Sequence, residues 1–408
     1  MNPLYNLSIS AYKLAVRLAS TRNVKAAKML NGQKETFTIL KNKLEPGEKY
    51  IWIHASSLGE FEQGRPLIEM IKENNPNQKI LLTFFSPSGY EIRKDYKGAD
   101  IICYLPFDLP GNVNKFIDLV KPTMAIFIKY EFWGNFLHGL KKRNIPTYII
   151  SAIFRPTQSF FKWWGGMFRR MLRCYTTIYV QDDDSRDLLA TIGVKNVKVF
   201  GDTRFDRVTD ILKGCITLPV IEKFSENNFT LIIGSSWGPD EDIIIPYFNS
   251  HPEMKLIIAP HEFNDARLKA LRNSVNGKSV LYTETNAADA ADARCLIINC
   301  FGVLASAYRY ADAAFVGGGY GVGIHNINEA AVYGIPVMFG PNFHKFKEAH
   351  DLIHSEGAFV VNDADDFKTL MDKFTSDGEY LREHGDKAKE YILSQLGATK
   401  RIYDEIIK

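Results

Sequence analysis

From about residue 49 onward, short apolar runs alternate with amphipathic helical stretches, and this rhythm restricts the fold more than any other feature. The runs are almost continuously apolar, which is typical of parallel strands covered by helices on both faces. Seven runs form a first series: 50–55, 80–85, 101–105, 124–128, 148–153, 178–180 and 197–200. Six form a second series: 229–233, 255–259, 279–282, 295–298, 313–316 and 337–339. The sequence therefore predicts an α/β protein with two parallel sheets.

A chain of 408 residues is too long for one ordinary hydrophobic core. The alternation of apolar runs and helical stretches is interrupted once, over 207–228. We therefore predict a first domain over 1–206, a linker over 207–228 and a second domain over 229–408 that ends in charged helices. Ligands of such sheets bind at the carboxyl ends of the strands. The cleft between the two predicted domains is the expected site.

Two stretches carry an excess of positive charge. Residues 1–50 hold nine Lys/Arg against three Glu, and residues 136–173 hold eight Lys/Arg and no acidic residue. In the first stretch Leu4, Leu7, Leu14 and Leu18 follow a helical spacing, and in the second, Trp and Phe alternate with Lys and Arg. Aromatic rings beside cations suit a segment that lies among lipid headgroups. Packing of the apolar stripes on the protein itself is the alternative for both stretches.

Several classes of protein are excluded by the sequence. No run reaches the roughly 18 apolar residues of a membrane span, and 4–18 is interrupted by Lys13 and Arg17 without a cleavage site for a secretory signal. The five cysteines form no C-x-x-C pair, which indicates neither a disulfide framework nor a zinc ribbon. No nucleic-acid-binding motif occurs, and we expect no nucleic acid as partner. These features predict a protein that faces the cytosol.

A carboxylate that follows the first predicted strand is a candidate general base. The run HASSLGE at 54–60 passes from a strand through a tight loop into a helix, which brings Glu60 to the carboxyl end of the strand. A base needs a free carboxylate within reach of an acceptor hydroxyl. Ser57 and Glu60 also have the spacing of a capping box, and this structural reading remains open.

Two further charged residues follow predicted strands. Glu131 comes directly after the run at 124–128, and Arg204 comes after the run at 197–200. Arg204 has the chemistry to stabilise negative charge on a phosphate or a sugar carboxylate. The alternatives are structural: Glu131 paired with Lys129 or Arg143, and Arg204 paired with a neighbouring aspartate.

A glycine-rich loop dominates the second half. Five glycines occur in GGGYGVG at 317–323, after a predicted strand and before a predicted helix that opens at Ile324. The spacing fits neither the dinucleotide fingerprint nor the P-loop, but such a loop offers backbone N–H groups to a phosphate, and Glu329 has the chemistry to accept ribose hydroxyls. His261-Glu262 lacks the second histidine of a zinc protease, and His350 with His354 lacks a carboxylate, so we expect no metal and no cofactor.

Taken together, these motifs resemble the bacterial 3-deoxy-D-manno-octulosonic acid (Kdo) transferases of lipopolysaccharide synthesis. The resemblance runs from about Trp52 to Leu352. It is carried by HASSLGE at 54–60, YLPFD at 104–108, EFW at 131–133, GDTRFD at 201–206, GSS at 234–236, FVGG at 315–318, HNINEA at 325–330 and FGP at 339–341. The resemblance implies a GT-B fold, in which two Rossmann-like doubly wound domains face a central cleft.

The resemblance also implies the partners: CMP-Kdo as donor and a lipid A precursor of the lipid IVA type as acceptor, at the cytoplasmic face of the inner membrane with peripheral or monotopic attachment. It assigns Glu60 as the base of an inverting transfer, with Glu131 and Arg204 stabilising the transition state. The implied CMP contacts are Pro260, His261, Phe301, Gly302, Val303, Asn326, Ile327, Asn328 and Glu329.

This chain departs from the family pattern at four places. Arg stands at 204 where Lys is frequent, Val303 replaces a frequent Glu, the motif after the fifth strand reads SAIFR at 151–155, and the Pro-Arg-His element is shortened to Pro260-His261. Two other readings remain alternatives. One is a different GT-B enzyme, either a UDP-sugar transferase or a sugar-nucleotide epimerase; the other is a catalytically inactive membrane-binding protein.

Overall fold

Seven parallel strands form the first sheet in a computed structural model that describes residues 3–408, with residues 209, 210 and 213 described by their backbone alone. The strands are β1 (Tyr50–Ala55), β2 (Lys79–Phe84), β3 (Ile101–Tyr104), β4 (Met124–Ile128), β5 (Thr147–Ala152), β6 (Thr177–Val180) and β7 (Val197–Val199). Their order is β3-β2-β1-β4-β5-β6-β7. Every residue of β1 is buried, as the continuous apolar run predicts.

Helices cover both faces of the first sheet. They are α1 (Pro3–Ala19), α2 (Val24–Lys43), α3 (Leu58–Asn74), α4 (Pro87–Arg93), α5 (Pro110–Val120), α6 (Gly134–Lys142), α7 (Gly166–Leu172) and α8 (Asp183–Thr191). Trp52 and Phe127 point into one core with Phe116 and Phe136 from the helices. Neighbouring strand residues such as Ile53 point to the opposite core, because side chains alternate along a strand.

The second sheet, within the same described residues, also has seven parallel strands. They are β8 (Thr230–Ser236), β9 (Lys255–Pro260), β10 (Ser279–Leu281), β11 (Cys295–Ile297), β12 (Ala313–Val316), β13 (Val337–Phe339) and β14 (Ala358–Val360). The order is β10-β11-β9-β8-β12-β13-β14. The helices are α9 (Asp206–Lys213), α10 (Pro219–Ser225), α11 (Gly238–Ser250), α12 (Asp265–Ser274), α13 (Ala287–Ala291), α14 (Leu304–Ala307), α15 (Asn328–Ala331), α16 (Lys347–His354), α17 (Ala364–Ser376) and α18 (Gly378–Ser394).

The prediction of an α/β fold with two parallel sheets is confirmed. All the predicted runs are strands, with ends that differ by up to three residues. The sequence analysis missed β14, because three residues, of which only Ala358 is fully buried, are too few to stand out as an apolar run.

The chain divides into two compact units. The first comprises residues up to Asp206 together with Leu396–Lys408, and the second comprises Arg207–Gln395. The last helix, α19 (Ala398–Ile406), therefore belongs to the first unit, whereas the predicted boundaries assign it to the second domain. The carboxylate of Asp206 accepts the backbone N–H groups of Gly397 (2.5 Å) and Thr399 (2.6 Å), which caps α19 at its first turn.

Two further observations concern the predicted linker and the membrane. Residues 207–228 contain α10 and most of α9, and they belong to the second unit instead of forming an extended connection. Among the helices of residues 3–408, none has an apolar stretch long enough to cross a bilayer.

Candidate functional site

The strand order of the first sheet reverses between β1 and β4, and two of the candidate residues follow these strands. β1 lies beside β4, in the register Ile51 to Met124, although two other strands separate them in sequence. Glu60 follows β1 and Glu131 follows β4. In open α/β sheets, ligands bind outside the carboxyl ends of strands at such a switch point. The topology therefore brings both carboxylates to the usual place of a site.

Glu60 lies in the first turn of α3, where its carboxylate is partly buried. Burial, and then the negative charge of Glu131, raise the pKa of Glu60, against the N–H groups of Glu60 and Ser57 and the charge of Lys129. The Ser57 hydroxyl donates to the Glu60 carboxylate and makes no hydrogen bond to the helix backbone. Only the Glu60 half of the capping box is therefore present. A carboxylate with a raised pKa is suited to proton transfer near neutral pH.

Glu131 is almost fully buried, with 4% of its surface exposed. Its Oε2 lies 3.1 Å from Nε2 of His54 and accepts a hydrogen bond from the indole N–H of Trp133. Arg143, one of the two structural partners considered from sequence, instead bonds Asp118 at 2.7 Å. Glu131 is thus held in a buried polar network at the carboxyl end of β4.

Arg204 is held by a buried aspartate. Nε and Nη2 of Arg204 each lie 2.8 Å from Oδ2 of Asp202, and the amide of Gln63 donates to Oδ1 at 3.0 Å. Burial raises the pKa of Asp202, but the charge and hydrogen bonds of Arg204, with that of Gln63, outweigh it and lower the pKa overall. The pairing with a neighbouring aspartate, considered from sequence, is therefore observed. It orients a guanidinium group that remains one third exposed.

Tyr130 marks the point where these groups converge. Burial raises the pKa of its hydroxyl, Arg155 and Arg204 lower it, and Asp202 and Glu60 raise it. The hydroxyl therefore lies within electrostatic reach of two cations and two carboxylates. The structure thus brings Glu60 and Arg204 to the same edge of the first sheet.

In the second unit, three rings form a cluster at the carboxyl ends of neighbouring strands. His261 follows β9 and stacks on Trp237, which follows β8, with ring centres 4.5 Å apart. His325 lies 4.6 Å from His261, and the Trp237 indole N–H donates to Nε2 of His325 at 3.3 Å. Burial and then the neighbouring His261 lower the pKa of His325, which favours its neutral form. Flat, partly apolar surfaces of this kind suit a nucleotide base.

Asp240 fixes the glycine-rich loop beside this cluster. Its Oδ2 accepts the backbone N–H groups of Trp237 (2.8 Å) and Gly318 (3.0 Å). Gly318 has φ +94°, and a Cβ there would meet the Gly323 carbonyl oxygen at 2.4 Å, so glycine is required. A small pocket of about 100 Å³ lies between Asp240, Gly318 and Tyr320. Asp240 Oδ1 faces no hydrogen-bond partner within the described residues.

The predicted helix after the glycine-rich loop is much shorter than expected. It does not open at Ile324, because α15 spans only Asn328–Ala331 and its cap residue Ile327 makes no side-chain cap bond. Four residues carry only a small dipole, and phosphate binding by the backbone N–H groups of this loop stays a prediction. The buried Asn328 Oδ1, without a partner in residues 3–408, is a more specific polar feature at this place.

The other predicted nucleotide contacts lie on loops at the same edge. Phe301 is 87% exposed and packs on Phe263 with ring centres 4.9 Å apart. Asn326 donates to Oε1 of Glu329 at 2.9 Å. Burial raises the pKa of Glu329, while Asn326 and then the charge of Arg207 lower it. The positions not yet described are the strand end Pro260, Gly302 with φ +84°, and the buried Val303 and Ile327.

Sequence reasoning missed four residues of these two sites: His54, Trp237, Asp240 and His325. His54 and His325 stand inside motifs that were recognised, and for His54 its place one residue before the end of β1 was a further signal. No comparable signal marks Asp240, because its carboxylate joins Trp237, which follows β8, to Gly318, which lies 78 residues further along the chain. Within residues 3–408, no group of three or more His, Cys, Asp or Glu lies together so as to hold a metal ion.

The fold is similar to that of several solved structures. The UDP-GlcNAc 2-epimerase of Neisseria meningitidis matches with a TM-score of 0.61 over 88% of this chain and 99% of that chain, at 15% identity. MurG of Acinetobacter baumannii matches with a TM-score of 0.59 over 88% and 99%, at 12% identity. The two parallel sheets and these likenesses define a GT-B-like fold.

The family follows from the sequence comparisons. A family model described as 3-deoxy-D-manno-octulosonic-acid transferase (kdotransferase) matches residues 31–207. The 3-deoxy-D-manno-octulosonic acid transferase of Haemophilus influenzae is 26% identical over 94% of this chain and 92% of the relative. That of Aquifex aeolicus is 26% identical over 82% and 89%. The chain belongs to the Kdo transferase family and is a glycosyltransferase.

Proposed function

We propose that this enzyme moves Kdo from CMP-Kdo to a lipid A precursor of the lipid IVA type, with inversion and with Glu60 as general base. The single observation that carries the base assignment is Glu60 itself: a partly buried carboxylate with a raised pKa at the switch point of the first sheet. The family supports the sugar and its acceptor pathway.

The proposed transfer needs one general base and groups that stabilise charge in the transition state. The acceptor hydroxyl attacks the anomeric carbon of Kdo, its proton passes to Glu60, and the bond to CMP breaks with the electron pair leaving on the phosphate. Since CMP leaves as a stable anion, no strong general acid is needed. One displacement inverts the configuration and needs no nucleophilic carboxylate.

Glu131 and Arg204 take electrostatic roles in this proposal. Positive charge develops on the sugar ring as the bond to CMP breaks, and a buried carboxylate near the ring stabilises it. The guanidinium of Arg204, oriented by Asp202, suits the Kdo carboxylate or the departing phosphate. Both residues support the transfer without changing covalently.

The CMP is proposed to bind at the carboxyl edge of the second sheet. His261 and Phe301 offer ring surfaces there, while Glu329 with Asn326 suits ribose hydroxyls. The unpartnered Oδ1 of the buried Asn328 is a polar atom that a ligand hydroxyl or amino group satisfies.

Membrane attachment is proposed through the first unit. On α1 the side chains of Leu7, Leu14 and Leu18 are exposed, so the apolar stripe does not pack on the described part of the protein. Trp163, between β5 and α7, is 90% exposed. Lys and Arg residues flank both features, which suits insertion of rings and leucines among anionic headgroups.

Both exposed features adjoin the segment that follows Glu131. Tyr5 of α1 accepts the backbone N–H of Gly134 at 3.0 Å, and Phe160, four residues before Trp164, packs on Phe132 at 4.7 Å. A membrane docked on α1 and Trp163 therefore lies on the side of the first unit that leads to Glu131. This arrangement suits an acceptor that remains in the bilayer.

The activity is tested by mass spectrometry of lipid IVA after incubation with CMP-Kdo generated in situ. We expect a mass gain of one or more Kdo units, reduced by about 10²- to 10⁴-fold in Glu60→Gln. Glu69→Gln is the matched control, because Glu69 lies on the same helix and its partners there are Arg65 and, at 3.4 Å, the Tyr96 hydroxyl. If Glu60→Gln remained active, Glu60 would not be the base, and its role would be that of a helix-capping residue. If the folded protein forms no product, a different sugar-nucleotide donor is favoured. Thermal-shift assays with CMP and with UDP then show which nucleotide the protein binds.

Attachment is tested by sedimentation with vesicles of phosphatidylglycerol and phosphatidylethanolamine. We expect the Trp163→Ala/Trp164→Ala variant to bind about tenfold less tightly, because two aromatic side chains no longer leave water. Ile92→Ala, which removes an exposed side chain of the first unit outside both features, is the control. Unchanged binding of the tryptophan variant would contradict the proposal.

A further inference from the structure

A buried glutamine on α3 connects the helix that carries Glu60 to the loop that carries Arg204. Gln63 stands three residues after Glu60, so the two residues are neighbours on the helix surface. Its side chain is 1% exposed, and Nε2 lies 3.0 Å from Oδ1 and 3.1 Å from Oδ2 of Asp202. Because carboxylate oxygens only accept hydrogen bonds, the amide donates to Asp202.

The backbone of Gln63 makes a second contact with the same loop. The Thr203 hydroxyl donates its one proton to the Gln63 carbonyl oxygen. The Ser151 hydroxyl lies 2.8 Å from Oγ1 of Thr203 and therefore donates to it, and Ser151 Oγ accepts the backbone N–H of Thr203 at 3.2 Å. All three residues are buried. The loop is thus fixed from α3 on one side and from β5 on the other.

The contact from β5 depends on an unusual backbone conformation. Relative to β6, β5 has one extra residue between Ile149 and Ala152, and Ser151 in this bulge has φ +52°, in the left-handed region. A non-glycine residue in that region is strained and persists only where its surroundings hold it. The amide of Gln181 holds the Ser151 carbonyl at 2.9 Å. Since a bulge redirects a side chain, we attribute the contact of Ser151 with Thr203 to this bulge.

Packing alone does not explain a glutamine at position 63. Its Oε1 is buried and has no hydrogen-bond partner within the described residues, which is unfavourable. A methionine has a similar length and leaves no polar oxygen unsatisfied. What methionine lacks is the amide that donates to Asp202. Nε and Nη2 of Arg204 each lie 2.8 Å from Oδ2 of the same carboxylate, so the amide acts on the guanidinium through one intermediate group.

We propose that Gln63 is a positioning residue for the transfer: through Asp202 it holds the guanidinium of Arg204 at a fixed place relative to Glu60. This inference rests on the proposed function, in which Glu60 is the base and Arg204 stabilises negative charge. A helix is a stiff element, so α3 carries the base at its first turn and fixes the cation one turn later. A small displacement of a charge-stabilising group is enough to slow a reaction.

The test is a double-mutant cycle on the rate of Kdo transfer from CMP-Kdo to lipid IVA. Gln63→Met removes the amide and keeps the length of the side chain. We expect kcat to fall about tenfold while KM changes less than about twofold, because Arg204 acts on charge that develops in the transition state. In an Arg204→Ala background, the same Gln63→Met change is expected to leave kcat where it was. An equal fall in both backgrounds, or no fall with Arg204 in place, would overturn the inference.

A measurement without substrate separates this inference from the proposed function. In protein labelled with ¹⁵N-arginine, the Nε–H signal of Arg204, assigned with Arg204→Lys, reports the hydrogen bond to Asp202. We expect its exchange with water to become about fivefold faster in Gln63→Met. Asn74→Ala, which changes an exposed residue at the other end of α3, is the matched control.

Two results would show that the proposed function is wrong: no product from the wild-type protein, or full activity of Arg204→Ala. The exchange rate of the Arg204 Nε–H then decides on Gln63 by itself. A faster rate in Gln63→Met would support the positioning, and an unchanged rate would refute it.

If Gln63→Met does not fold, the second contact between α3 and the loop provides the test. Thr203→Val removes the hydroxyl with little change of shape, and Thr203→Ser keeps the hydroxyl. We expect Thr203→Val to lower kcat several-fold with Arg204 in place and not in the Arg204→Ala background, and Thr203→Ser to recover most of the loss. Equal kcat values for Thr203→Val and Thr203→Ser would contradict the inference.

Discussion

The hydroxyl of Tyr5 donates a hydrogen bond of 2.6 Å to Oδ2 of Asp108, and this contact ties the first helix to the body of the first unit. The same carboxylate accepts the backbone N–H groups of Asn135 (2.9 Å) and Phe136 (2.9 Å) at the start of α6. One buried aspartate therefore joins α1 to the segment that follows Glu131 and Trp133. The exposed leucines of α1 lie on a helix that is held in place by polar contacts on its other side.

Tyr5→Phe is expected to loosen α1. The variant keeps the ring but leaves the buried Asp108 with one donor fewer, and we expect a loss of about 1–3 kcal/mol in the free energy of unfolding. Urea unfolding at pH 7 measures this loss, and limited proteolysis reports whether α1 is released first. Tyr12→Phe is the control, because Tyr12 contacts Phe85 through its ring. Equal stability of the two variants would show that the Tyr5 hydroxyl contributes nothing.

The raised pKa of Glu60 has a consequence for catalysis. The base must be ionised to accept a proton, so the rate falls as pH drops through the folded-state pKa of Glu60. We expect the acid limb of the pH–rate profile to lie above the ordinary glutamate value. Glu60→Asp is expected to retain an acid limb, and Glu60→Gln to lose it along with most of the activity. An acid limb at an unshifted value would contradict the environment described for Glu60.

The same shift has a consequence for stability. A carboxyl with a raised folded-state pKa binds protons more tightly in the folded protein, so its contribution is full below the unfolded-state pKa and is lost as pH rises through the folded-state pKa. Glu60→Gln, which stays neutral, is therefore expected to melt at a higher temperature than wild type at pH 8 and at a similar temperature at pH 4. Thermal unfolding at both pH values measures this, and Glu69→Gln serves as the surface control. A Glu60→Gln variant less stable than wild type at pH 8 would reverse the expected sign.

Arg204→Ala is expected to destabilise the protein in a pH-dependent way. It removes the cation from the buried Asp202 and should lower the free energy of unfolding by about 1–3 kcal/mol at pH 7. Since the pKa of Asp202 is lowered in the folded protein, the stability that it contributes is present above its unfolded value and is lost as pH falls. The difference between wild type and variant should therefore shrink below pH 4. The stability of Arg204→Lys should lie between those of wild type and Arg204→Ala, because lysine keeps the positive charge but lacks the forked guanidinium geometry. A difference that does not change with pH would mean that the loss comes from packing alone.

The two sheets were predictable because their strands are continuously apolar. Runs such as Tyr50–Ala55 are buried on both faces, and that pattern survives in the sequence without any tertiary information. The polar network was not predictable in the same way. His54 reaches Thr83 and Glu131 only because β1 lies between β2 and β4, and the strand order is a property of the assembled sheet.

Two other features of the molecule depended on long-range contacts. The helix α19 belongs to the first unit because Asp206 caps it and because Ile402 and Tyr403 enter the core around Phe61. Its own sequence indicates only an amphipathic helix. The short α15 follows a loop whose course is fixed by Asp240, which stands 78 residues earlier than Gly318.

Asp240→Ala is expected to weaken nucleotide binding without removing any residue proposed to touch the nucleotide. The variant releases the N–H groups of Trp237 and Gly318, so the ring cluster and the glycine-rich loop lose their shared anchor. We expect the affinity for CMP to fall about tenfold, the equivalent of one buried hydrogen bond of about 1.4 kcal/mol. Isothermal titration calorimetry with CMP measures it. Glu253→Ala, an exposed acidic residue that precedes β9 at the opposite edge of the sheet, is the control. Asp240→Asn keeps one acceptor oxygen and should recover part of the affinity. If Asp240→Ala bound CMP as tightly as wild type does, the nucleotide would have to bind away from the glycine-rich loop.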